Sequence, residues 1–220
     1  MNLLSVLGLG FMLGLRHATD ADHVVAVSTI VSRSRTLRSA VLIGMLWGLG
    51  HTLTILVVGG AIVIFNVVVP PSVETALELC VATMLVVLGA VNLYSATFGN
   101  RRGPAAGIPS GPARSGPSSW PLRPLFVGIV HGLAGSAAIA LLVLATIQSV
   151  ARALLYLGVF GAGTIAGMAL LTCLVVLPVA AASRRFVSLE RYLAGTTGAA
   201  SVVFGAWLAL SALFGGEPLG

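Results

Sequence analysis

The chain has 220 residues, of which 57% are hydrophobic and 8% charged, with a formal net charge of +6 and a mean hydropathy of +1.05. Soluble domains carry about 25% charged residues, so these side chains cannot furnish a water-facing surface, and the composition is that of an all-α polytopic membrane protein. The positive balance does not point to nucleic acid, because no basic stripe with interleaved aromatics exists.

The first apolar run, roughly Leu3 to Val31, has no basic leader and no small-residue cleavage site before its polar cluster. It reads as a retained helix and not as a removable signal. A spanning helix needs about 20 apolar residues, and lipid-exposed backbone must satisfy its own hydrogen bonds. On that rule five more segments follow: Leu37 to Val69, Val73 to Phe98, Leu125 to Val150, Leu154 to Ala182 and Tyr192 to Phe214. Several exceed the minimum, so tilted or interrupted helices are expected. Pro70-Pro71 is expected to end the second segment, since proline lacks a donor and disfavours helix in the residue before it. Cys80 and Cys173 lie far apart in apolar stretches and are expected to pack without a disulfide.

Residues 99–123, "GNRRGPAAGIPSGPARSGPSSWPLR", hold five of the ten prolines, five glycines and four serines. Such a composition reads as a linker. It separates a three-helix half at 1–98 from a second at 124–220. The halves resemble each other: "GLRH" at 14–17 matches "GIVH" at 128–131, "WGLGHT" at 47–52 parallels "FGAGTI" at 160–165, and "VVLGA" at 86 finds "VVFGA" at 202. With "LELC" at 77 and "LERY" at 189, the offsets lie between 112 and 116 residues. An odd number of helices per half turns the second copy upside down, which predicts two inverted three-helix repeats, the pattern of transporter folds.

The loops after segments 1, 3 and 5 hold Arg33, Arg35, Arg38, Arg101, Arg102, Arg114, Arg123, Arg184, Arg185 and Arg191, and the other side holds Arg152 alone. The asymmetry places those loops and the linker in the cytoplasm and both termini outside a cytoplasmic membrane.

All four histidines, His17, His23, His51 and His131, fall inside apolar segments, and Arg16, Asp20 and Asp22 stand beside the first two. An intramembrane carboxylate costs about 2.5–3.5 kcal/mol on insertion scales, so such groups mark function. Imidazole and carboxylate without thiolate suit nickel, cobalt or zinc. The structural alternative is an ion-pair network of Arg16 with Asp20 and Asp22. On an ideal helix His17, Asp20 and His23 share one face, yet the two histidines rise about 9 Å apart. Either the helix unwinds near Ala18 to Ala21, or only some of the residues bind directly. His51, set between Gly50 and Thr52, can approach because glycine lets helix backbones meet.

His17, four residues, then Asp22 and His23, preceded by Arg16, resembles the H-x4-D-H signature of the nickel/cobalt transporter (NiCoT) family, and "RHATDADH" follows its RHA-x-DADH pattern. "LGHTLTIL" at 49–56 resembles the family's second motif. The closest likeness is to the short six-helix branch encoded beside urease genes. The resemblance implies a permease for Ni2+ or Co2+, with uptake as the expected direction and His17, Asp20, Asp22, His23 and His51 in the path. Arg16 and Thr52 would support them. His131 occupies the position of His17 in the second half, in "VHGLAGSAAIAL", which contains no acid. It is either a late ligand or a histidine bonded to a backbone carbonyl where the halves meet. The metal would be cargo, with no resident cofactor and no ATP site, since no phosphate-binding loop occurs. Partners are the ion and the bilayer; a homo-oligomer and a link to nickel enzymes such as urease stay open. Two other readings compete: an intramembrane metal-dependent hydrolase, and a membrane subunit of a larger uptake complex.

Overall fold

The first apolar run is two helices, not one. The structure, a computed structural model, describes residues 3–31, 36–66, 69–98, 122–133, 147, 149–183 and 189–215. The helices are α1 (Leu3–His17), α2 (Ala21–Val31), α3 (Leu37–Phe65), α4 (Pro71–Phe98), α5 (Leu122–His131), α6 (Val150–Ser183) and α7 (Leu189–Phe214). Among the described residues, four spans are long and apolar enough to cross a membrane: α3, α4, Val150–Pro178 of α6 and Arg191–Phe214 of α7. α1, α2 and α5 are shorter apolar helices. The protein is an α-helical integral membrane protein.

Several expected boundaries move. α3 stops at Phe65, before the prolines, because Asn66 takes the left-handed conformation (φ 51°) and its N–H returns to the Ile62 carbonyl. Pro71 instead opens α4, where its missing donor costs nothing. Val150, expected to close the fourth segment, begins α6. Of that segment, residues 134–146 and 148 lie outside the described residues, as do 99–121 of the linker; Leu122 and Arg123, expected in the linker, already belong to α5. Cys80 lies on an exposed face of α4, not in the packed interior.

Helices surrounded by lipid gain no hydrophobic drive from meeting, so small residues must let them approach closely. α4 packs on α7, α3 on α5 and α6, and α1 on α6, while α2 touches α4, α6 and α7. At each major contact a glycine faces backbone. A methyl group on Gly14 would lie 2.1 Å from the Phe160 carbonyl oxygen, and one on Gly128 would lie 2.1 Å from that of Trp47. On Gly50 it would meet the Leu125 oxygen at 2.2 Å, and on Gly163 the Phe11 oxygen at 2.3 Å. These four contacts form two pairs whose members are offset by 113 or 114 residues. Buried polar ties reinforce them: Thr52 Oγ1 donates to the Gly161 carbonyl (3.1 Å), Thr54 Oγ1 to that of Ile129 (3.0 Å) and Asn92 Nδ2 to that of Thr29 (3.0 Å). Ser201 Oγ donates to the Leu85 carbonyl at 2.8 Å, and the Arg191 guanidinium to the carbonyls of Ala96 and Thr97.

Gly128→Ala should therefore destabilise the detergent-solubilised protein by about 1–3 kcal/mol, the usual cost of overpacking. Gly158→Ala, where a methyl group meets nothing within 4 Å, should cost nothing. Thermal melts of the two variants check this, and equal melting temperatures would contradict it.

Candidate metal centre

The last α-helical bond of α1 runs from Ala18 N–H to the Gly14 carbonyl (3.2 Å), and the helix ends because two tighter turns follow, Thr19 to Arg16 (2.8 Å) and Asp20 to His17 (3.1 Å). α2 then starts with Val24 N–H bonded to the Asp20 carbonyl at 3.0 Å. α5 ends in a similar way at His131, with Gly132 N–H on the Gly128 carbonyl (2.8 Å) and Leu133 on Val130 (3.2 Å). The interruption at Ala18–Asp20 settles the helical geometry. A continuous helix would hold His17 and His23 about 9 Å apart along its axis; instead their ring centroids lie 4.7 Å apart, edge to face.

His51 on α3 and His131 on α5 complete the cluster. His23, His51 and His131 are 0% exposed and His17 is 5% exposed. His17 Nε2 lies 2.9 Å from His51 Nε2, and His17 Nδ1 lies 2.8 Å from Asp20 Oδ2. Asp22 uses both oxygens: Oδ1 accepts from the His23 backbone N–H (2.9 Å) and faces His23 Nδ1 (3.0 Å), while Oδ2 faces His131 Nε2 (2.9 Å).

A carboxylate only accepts, so each imidazole nitrogen facing one carries the hydrogen. In neutral rings this leaves lone pairs at the other nitrogens. His17 then accepts from His51 Nε2, and His23 Nε2, His51 Nδ1 and His131 Nδ1 keep lone pairs. Those three atoms are buried with no hydrogen-bond partner among the described residues. Unused buried acceptors cost about 1–3 kcal/mol each, which argues for an occupant that accepts electron pairs. Donor atoms of His17, His23 and His51 all lie within 4.8 Å of one another, and so do those of Asp22, His23 and His131. Either set could hold one cation.

The cluster sits between two apolar clusters. Trp47, of the cluster that includes Ala26, Val27 and Met168, lies with its ring 6.1 Å from and nearly parallel to that of His23, and edge-on to His131 at 5.5 Å. Phe160, of the cluster around Ile55, Tyr156 and Leu157, lies 5.4 Å from His17. Sequence reasoning passed over both aromatics, although they occupy matching positions in "WGLGHT" and "FGAGTI".

The structure thus brings together His17, Asp22, His23, His51 and His131, with Asp20 held behind His17. Arg16 forms no ion pair with Asp20 or Asp22 among the described residues, because the histidines take both carboxylates. Thr52 does not support the histidines; its hydroxyl ties α3 to α6. His131 bonds neither a backbone carbonyl nor an acid of its own half. Its partner is Asp22, 109 residues away.

Comparison with known proteins meets this geometry. A family model, NicO, described as a high-affinity nickel-transport protein, matches residues 3–100, the stretch that supplies α1 to α4. A protein described as urease accessory protein UreH, from Bacillus sp. (strain TB-90), is 37% identical over 207 residues, 93% of this chain and 90% of its own. The chain belongs to the NicO family. NicO is a transporter family, so the hydrolase reading falls away. No solved structure matches the chain. The NicO match ends before His131, so the family model does not reach that histidine, and its pairing with Asp22 comes from the structure.

Asp22→Ala would strand His23 Nδ1 and His131 Nε2, at about 1–3 kcal/mol for each unmade bond. Asp20→Ala strands one nitrogen beside a carboxylate that is already 38% exposed. Metal-free melting temperatures should fall clearly further for Asp22→Ala than for Asp20→Ala. A larger fall for Asp20→Ala would refute the assigned partners.

Proposed function

We propose that this chain is a permease carrying Ni2+, and Co2+ as a second substrate, inward across the cytoplasmic membrane. The observation that carries the reading is the convergence of four buried imidazoles and the Asp22 carboxylate, without thiolate, inside a lipid-embedded helical protein. The NicO and UreH descriptions support nickel as cargo and a supply role for nickel enzymes such as urease. The 2.9 Å between Nε2 of His17 and His51 supports it also. At a metal–nitrogen distance of about 2.1 Å, one ion bound to both, with the His51 hydrogen moved from Nε2 to Nδ1, would subtend about 90°, an angle of square-planar and octahedral sites and narrower than a tetrahedral ion prefers. His17, Asp22, His23 and His51 are the proposed ligands, and Asp20 orients His17 from behind, as carboxylates do for metal-bound imidazoles.

The proposed architecture is six spans in two inverted three-helix repeats, with α1 and α2 as one interrupted span. Supporting it, the glycine contacts of Gly14 and Gly128, and of Gly50 and Gly163, pair across the halves, and both α1 and α5 end on a histidine. Interrupted helices at a binding site are a device of such transporters. The arginine asymmetry supports cytoplasmic loops after spans 1, 3 and 5, with both termini outside.

Purified protein in liposomes should accumulate radioactive nickel without any added subunit, and His17→Ala, Asp22→Ala, His23→Ala and His51→Ala should each abolish uptake. Because ligating imidazoles must be unprotonated, binding measured by titration should weaken as pH falls. Liposomes that stay empty while a partner protein restores uptake would instead support the larger-complex reading. For topology, cysteines introduced by Ser110→Cys and Leu219→Cys should react oppositely with an impermeant reagent on intact cells, with only the second labelled. External labelling at 110 would overturn the orientation.

A further inference from the structure

The permease reading treats the histidine cluster as one site, but its donors fall into two sets. We propose that it holds two adjacent cation subsites that share His23, so that one ion passes between them; this rests on the permease reading. The first subsite is His17, His23 and His51, all imidazole, from α1, α2 and α3. The second is Asp22, His23 and His131, from α2 and α5, and it alone includes a carboxylate and a residue beyond the linker.

His23 is central by position and by chemistry. Its ring meets those of His131 (4.4 Å), His17 (4.7 Å) and His51 (5.0 Å), each steeply inclined to it. Nδ1 is taken by Asp22 Oδ1 at 3.0 Å, whereas Nε2 is buried and has no partner among the described residues. A neutral imidazole offers one lone pair, so His23 can complete only one subsite at a time. An ion at the first subsite has three nitrogen donors and no counter-charge. Moving to the second, it exchanges two imidazoles for an Asp22 oxygen and His131, whose Nε2 faces Asp22 and becomes a donor when its hydrogen moves to Nδ1. Neither subsite is a complete cage from protein atoms alone, and two partial sites in sequence let a tightly recognised ion leave again. Trp47, lying along His23 and edge-on to His131, walls the second subsite, as Phe160 walls the first at His17.

The test titrates Ni2+ into the full chain in detergent micelles, with X-ray absorption of the bound metal and parallel uptake in liposomes. Wild type should bind one nickel per chain. His51→Ala should retain one nickel with fewer imidazoles and a carboxylate oxygen. His131→Gln and, independently, His131→Ala should retain one nickel with three imidazoles. Each of these variants should bind about tenfold more weakly or worse, which is 1.4 kcal/mol or more, and none should transport. The His51→Ala/His131→Gln double variant should bind none. Two nickel ions per wild-type chain would overturn the sharing of His23. Wild-type affinity and uptake in both His131 variants would overturn the second subsite while leaving the permease reading intact. Absence of nickel uptake by wild type would strike that reading alone, because the titration counts subsites without transport.

Discussion

Both oxygens of the Asp22 carboxylate are committed to histidines, one beside it in the chain and one 109 residues on. Burying a carboxylate is costly unless its lone pairs are used, and within a bilayer no water is at hand to use them. The arrangement around Asp22 answers that constraint. α2 must begin where α1 stops, so that Asp22 and His23 turn toward α3 and α5. α5 must end on His131 at the same depth. Losing that carboxylate contact would leave two buried ring nitrogens without acceptors and would remove one of the polar ties between residues on either side of the linker.

Close approach of the helices makes this geometry reachable. His51 and His131 can share a cluster only because α3 and α5 meet along Gly50 and Gly128, whose missing side chains admit the carbonyls of Leu125 and Trp47. Gly14 and Gly163 perform the same service between α1 and α6. In lipid, where apolar side chains gain nothing by leaving their surroundings, such backbone-to-backbone packing and its hydroxyl ties carry the association. The glycines of "WGLGHT" and "FGAGTI" are therefore as much a part of the site as its histidines, since they set how far apart the imidazoles stand.

The same packing brings Trp47 and Phe160 against the imidazoles. Large flat side chains there fix ring orientation and exclude lipid and water from the donor atoms, which strengthens every electrostatic contact inside. That the two aromatics stand at matching places relative to His131 and His17 gives the cluster an internal correspondence: each histidine closing a short helix rests on an aromatic ring of a longer one.

Composition alone determined that the chain lives in a membrane and is helical, because so few charges cannot cover a soluble surface and exposed backbone must be satisfied locally. Local spacing also marked candidate ligands, since the crowded run His17, Asp20, Asp22, His23 is chemically improbable in an apolar segment, and the likeness of that run to a known motif pointed to the family. Periodicity could not say where helices stop: Asn66 ended α3 ahead of Pro70, and the break after His17 was one of two options that an ideal helix left open. Nor could it pair residues that are distant in sequence. Nothing near His131 announces an acid, and nothing near Arg16 forbids a salt bridge. Only the folded chain decided that Asp22 serves His131, that Arg16 stays out of the network and that Thr52 belongs to helix packing. Those choices depend on which backbones meet, and that is set by glycine contacts more than a hundred residues apart.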